Sequence, residues 1–101
     1  MPKNELQLSD LVLSESAHTV TRGGKPIALT PKEFSVLEYL LRNQGIVLSR
    51  DKILEHAWDF SYEGASNMVD VYIKTLRKKI DHDFEPKLLH TVRGAGYVLK
   101  E

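Results

Sequence analysis

The chain contains no cysteine, which excludes disulfides, thiolate metal sites and cysteine nucleophiles. It also lacks any run approaching the ~18 apolar residues of a membrane span. No apolar signal-peptide core follows Met1, so the expectation is a soluble domain working in the cytoplasm. A charge excess is missing too. Fourteen Lys+Arg balance 14 Asp+Glu, which argues against a polycation that coats nucleic acid indiscriminately. The 101 residues suit one domain, large enough to bury roughly two-thirds of its unfolded surface without a metal or crosslink. Neither a cofactor nor a metal is expected.

What charge there is falls unevenly. Residues 1–65 carry seven Lys+Arg against nine Asp+Glu, and residues 66–101 carry seven against five, so the basic bias lies in the C-terminal third. That third opens with SNMVDVYIKTLRKKI, residues 66–80. At about 100° per residue, Val69, Ile73, Leu76 and Ile80 fall in one narrow arc and predict a helix packed on a core. Its opposite face collects Asn67, Val71, Lys74 and Lys78, flanked by Arg77 and Thr75. A helix fits the major groove of duplex DNA, where Asn and Lys reach base edges and a small apolar side chain touches a thymine methyl. Cations on a solvated helix face are common, so the flanking segments must decide between these readings.

The first thirty residues read as β-structure: short runs at 6–8, 11–13 and 17–22, separated by Ser9-Asp10 and Ser14-Glu15-Ser16. Arg22-Gly23-Gly24-Lys25 is a hairpin signal, because two glycines accept the positive φ of a tight primed turn. A four-stranded antiparallel sheet ending near Leu29 is expected, with His18 on its surface. Thr30-Pro31-Lys32-Glu33 then combines a capping box with proline at the first helical position. It opens a helix over 31–43 that buries Phe34, Leu37, Leu40 and Leu41 and stops at Gly45. Ile46-Val47-Leu48 is an extended link. Ser49 caps a second helix over 50–57, with Ile53, Leu54 and Ala57 inward.

Residues 58–65, WDFSYEGA, are too irregular for a helix and join the second helix to the third, giving a helix-turn-helix with a long turn. Trp58 is expected to be at least partly buried, and Phe60 and Tyr62 are open to a core or a partner role. Residues 81–86 form a polar connector. Asp81-His82-Asp83 lacks the glycine and distal glutamate of a calcium loop. Strands at 88–92 and 97–100 flank a turn at Arg93-Gly94-Ala95-Gly96, and a hairpin directly after such a helix is the wing of a winged helix. An arginine at its tip can enter the minor groove, where narrow A·T-rich stretches concentrate negative potential.

Four segments then carry a family resemblance: LTPKEF at 29–34, LSR at 48–50, VDVYIKTLRKK at 69–79 and TVRGAGY at 91–97. In this order and spacing, from about Leu6 to Leu99, the chain resembles the effector domain of OmpR/PhoB-type response regulators. The resemblance implies an α+β winged helix-turn-helix: a leading four-stranded sheet, three helices and a C-terminal hairpin. It implies base contacts by Asn67, Val71, Lys74, Lys78 and Arg93, and phosphate contacts by Thr75, Arg77 and Thr91. It also implies an RNA polymerase contact on the loop with Asp59, Phe60, Ser61, Tyr62 and Glu63. The implied partners are duplex DNA with direct-repeat half-sites, a second copy on that DNA, and a receiver domain in the full-length protein. Asn67 and Thr75 stand where relatives often have arginine. Residues 1–5 are expected to be a linker remnant or tag, and 6–100 the DNA-binding domain.

Asp70 sits on the same helix despite its charge. Its spacing predicts an i,i+4 pair with Lys74 that orients the cation. Two other classes of function stay open at this point. A protein-interaction module is compatible with the neutral charge and the aromatic loop. An enzyme would need a nucleophile beside a base, and His56 and His90 are the histidines with ordered flanks, neither in a recognisable motif.

Overall fold

The computed structural model describes residues 5–57 and 66–101, with side chains in the third helix from residue 68 onward. The expectation of a buried Trp58 and the loop of residues 59–63 therefore lie outside the described residues. Four strands come first, β1 (Glu5–Leu8), β2 (Leu11–Ser14), β3 (Thr19–Arg22) and β4 (Lys25–Ile27), paired antiparallel in the order β1-β2-β3-β4. Period-two alternation turns Leu11, Leu13 and Val20 into the core. Gly23 and Gly24, at φ +61° and +81°, supply the primed turn of the β3–β4 hairpin. β3 begins two residues later than the sequence suggests, because His18 adopts φ +59°. Its exposed ring stacks on Phe34 at 3.9 Å between centroids.

Helix α1 (Pro31–Arg42) starts as expected, with Glu33 N donating to Thr30 Oγ1 and Thr30 N donating back to Glu33 Oε1. Asn43 is its C-cap rather than its last turn. Gly45, at φ +85°, turns the chain back so that its N–H reaches Leu99 O. Helix α2 (Arg50–Ala57) is capped by Ser49 Oγ, which accepts from Lys52 N, and it buries Ile53 fully. Helix α3 (Ser66–Ile80) buries Val69, Ile73, Leu76 and Ile80, each contributing a gross ~1.5–3 kcal/mol of transfer free energy.

The hairpin β5 (Leu89–Val92) and β6 (Gly96–Leu99) closes the chain. Both strands differ by one residue from the sequence reading. Leu88 N is taken by the Asp81 carboxylate instead of the strand ladder, and Lys100 N donates to Leu88 O. Leu48 adds an unforeseen third edge, exchanging backbone hydrogen bonds with Tyr97 at 2.8 and 2.9 Å. The link between α1 and α2 thus anchors the hairpin. One core runs through the sheet, the helices and the hairpin.

The connector after α3 is more than a solvated link. Asp81 is buried, as is Arg22, which occupies an inward position of β3. Their side chains pair at 3.0 Å, and Arg22 Nε also reaches Asp10 at 2.6 Å.

Candidate nucleic-acid interface

The outward face of α3 is built by subtraction. Once the apolar stripe is buried, helical geometry leaves Val71, Lys74 and Lys78 outside, and Val71 is 61% exposed. An exposed valine one turn before Lys74 offers van der Waals contact beside charge. The side chain of Asn67 lies outside the described residues. Thr75 is half-buried, and its hydroxyl donates to Val71 O at 3.1 Å. That bond occupies its one O–H, so a phosphate contact requires the hydroxyl to rotate away.

Arg77 and Thr91, placed far apart by sequence, meet. Arg77 Nη2 donates to Thr91 Oγ1 at 2.7 Å, and Nε donates to Leu89 O at 3.3 Å. Thr91 accepts in this pair and keeps its own O–H to donate outward. The pair ties the last turn of α3 to β5. Arg93 is exposed at the hairpin tip beside Gly94 at φ +78°. An open cleft of about 500 Å³ separates this tip from the start of α2, lined by Ser49, Arg50, Thr91, Arg93 and Tyr97 among others. A second, of about 460 Å³, lies beside Lys74, Arg77, Lys78, His82 and Lys87.

Asp70 corrects the sequence reading. Its carboxylate does not pair with Lys74; it accepts from the Tyr97 hydroxyl and pairs with Arg50 Nε at 3.3 Å. The reason is tertiary. Asp70 faces the junction of α2 and β6, where the buried Tyr97 phenol and the Arg50 guanidinium lie within reach of its carboxylate. Burial, followed by the hydrogen bond and charge of Asp70, pushes the Tyr97 phenol above its ordinary range. Arg50 and Tyr97 were invisible as partners of Asp70, although LSR and TVRGAGY signalled that their segments were special.

The two histidines of the enzyme reading have different partners. His56 stacks on Tyr39 at 4.1 Å, and His90 Nε2 lies 3.1 Å from Lys100 O. Among the described residues no group of three or more His, Cys, Asp or Glu is placed to hold a metal ion. No described helix is long and apolar enough to cross a membrane.

Residues 24–99 match the family model described as "Transcriptional regulatory protein, C terminal". The chain belongs to this family. It is 48% identical over 98 residues to the transcriptional regulatory protein CusR of Escherichia coli K12, a match covering 97% of this chain and 43% of that protein. Its fold is similar to that of DrrB, a Thermotoga maritima OmpR/PhoB homologue, with a TM-score of 0.85 at 35% identity over 98% of this chain and 45% of that one. It is also similar to the Klebsiella pneumoniae RstA DNA-binding domain, solved in complex with the RstA box, with a TM-score of 0.85 at 31% identity over 97% and 98% of the two chains. The chain spans less than half the length of CusR and DrrB. The OmpR/PhoB resemblance and the winged-helix fold read from the motifs both hold.

Proposed function

We propose that this chain is the DNA-binding output domain of a two-component response regulator acting in the cytoplasm. The observation that carries the reading is the exposed row of Val71, Lys74 and Lys78 on α3, joined through Arg77–Thr91 to a hairpin tipped by Arg93. A helix and an arginine-tipped wing side by side suit adjacent major and minor grooves. Asn67, Lys74 and Lys78 reach base edges with Val71 against a methyl group, Arg93 enters the minor groove, and Thr75, Arg77 and Thr91 hold phosphates. The RstA domain, similar in sequence and fold, was solved with its DNA box.

The working species is two copies on direct-repeat half-sites, and a receiver domain elsewhere in the full-length protein is the regulatory partner. The loop carrying Asp59, Phe60, Ser61, Tyr62 and Glu63 meets RNA polymerase. These readings rest on the family resemblance. The domain itself performs no catalysis.

The test is fluorescence anisotropy with a randomised duplex pool and its enriched winner, at two salt concentrations, for this chain and Lys74→Ala. Tighter binding to the winner, a log–log salt slope of roughly −3 to −5 from a handful of phosphate contacts, and loss of the preference in the variant are expected. Salt-insensitive or absent binding would assign the α3 face to a protein partner instead.

A further inference from the structure

Among the described residues Arg22 is the largest side chain held entirely out of solvent, and it is a cation. Its guanidinium donates to four acceptors from three segments. Nε reaches Asp10 Oδ1 in the β1–β2 turn, Nη1 reaches both Ile80 O at the end of α3 and Asp81 Oδ1, and Nη2 reaches Pro86 O in the connector. Phe84 covers the group, its ring centroid 5.3 Å from Cζ. Asp81 is equally occupied. Besides Arg22, its two carboxylate oxygens accept from Leu88 N and from Leu89 N at 2.9–3.1 Å. Lys87 Nζ closes the same turn on Asp81 O and Phe84 O.

A buried ion pair is weak evidence for stability, since desolvation offsets much of its attraction; its better-attested use is fixing one geometry among several. Here the fixed quantity can be named. Arg22 holds the last carbonyl of α3, Asp81 holds the amides of Leu88 and Leu89 at the entry to β5, and the two are bonded to each other. The pair therefore sets the angle between α3 and the hairpin at its root, while Arg77–Thr91 acts further along and Tyr97–Asp70 acts on the other strand. A planar guanidinium can bridge these acceptors in one orientation, whereas an ammonium cannot.

We propose that Arg22 and Asp81 are positioning residues for DNA reading: they register the wing against the major-groove helix, and through Arg22 the N-terminal sheet becomes part of the reading apparatus. This rests on the DNA-binding reading above. Neither residue reaches the outer face, so the effect passes through the placement of Arg93 relative to Lys74 and Lys78.

The test combines a geometry readout with a binding cycle. Because the chain has no cysteine, spin labels at Lys78→Cys and Ala95→Cys report the distance from α3 to the wing without background. The parent should give one narrow distribution, and Asp81→Asn a broadened or displaced one. In unlabelled protein held well below its melting temperature, Asp81→Asn should weaken binding to the enriched duplex. Arg93→Ala should then cost at least about threefold less in the Asp81→Asn background than in the parent. Arg22→Lys, and more mildly Asp10→Asn at a 41% exposed carboxylate, should shift both readouts the same way, and they replace Asp81→Asn if it does not fold. A purely structural role would lower the melting temperature, leave the distance unchanged and make the two costs additive, which overturns the inference. A changed distance with unaltered affinity also overturns it. If the parent shows no Lys74-dependent binding, the DNA reading itself fails and takes this inference with it.

Discussion

At Gly96 φ is +143°, and a Cβ built there would lie inside 3.0 Å of the Leu48 carbonyl oxygen and carbon. The glycine is needed because Leu48 and Tyr97 exchange two backbone hydrogen bonds one residue away. Gly94, at φ +78°, has nothing within 4 Å of the same construction. Gly94→Ala should therefore cost about 1 kcal/mol from the positive φ alone, and Gly96→Ala about 3 kcal/mol or more from strain and displaced backbone. Urea denaturation of both variants checks this, and equal costs would refute the close approach as the cause. Tyr97→Phe removes a hydrogen bond to a carboxylate while leaving Arg50 beside Asp70. A loss of about 1.5–3 kcal/mol is expected, and an unchanged denaturation midpoint would mean that Arg50 alone holds Asp70.

At the scale of elements, α1 is fastened to α3 by a group that also caps it. Glu33 Oε1 accepts from Thr30 N and pairs with Lys79 Nζ at 2.7 Å. Burial pushes the Glu33 carboxyl upward, but Lys79 and the Thr30 donors outweigh it, so its pKa lies below the ordinary 4.5. A carboxylate with a depressed folded pKa contributes stability that is fully present above its unfolded value and is lost as pH falls through the folded value. The stability of the parent over Glu33→Gln should hold from neutral pH to about 4.5 and shrink below it. Melting temperatures from pH 7 to 3 test the sign, and a gap that widens on acidification would reverse the assignment. Thr30→Ala should cost about 1 kcal/mol through the lost cap, roughly 4–8 °C for a domain of this size.

At the scale of the whole molecule, the dimensions are 38 × 26 × 21 Å. Half-sites one helical turn apart are spaced about 34–36 Å along the duplex, so two copies in the same orientation fit side by side when either of the two shorter axes lies along the duplex. Direct repeats with centres about 10 bp apart should bind two copies more tightly than a single half-site. Inserting about 5 bp places the second copy on the opposite face of the helix and should abolish that gain. Titrating both duplexes in a gel-shift or anisotropy experiment decides it, and equal affinity would exclude a tandem arrangement of this isolated domain.

The sequence by itself determined what depends on neighbours in the chain. Thr30-Pro31-Lys32-Glu33 encodes its own capping box, Gly23-Gly24 encodes a turn, and the spacing of Val69, Ile73, Leu76 and Ile80 encodes which side of α3 is hidden, and so which side faces out. Four motifs in order were enough for the family. Only the tertiary structure decided which charges meet. Asp70 has Lys74 at helical spacing, yet it joins Arg50 and Tyr97, because the packing of α3 against α2 and β6 brings these two to its carboxylate. Asp81 reads as one acid in a polar connector and Arg22 as one cation at a hairpin, 59 residues apart. A period-two pattern carries no signal that an inward position holds an arginine whose partners lie at the other end of the chain.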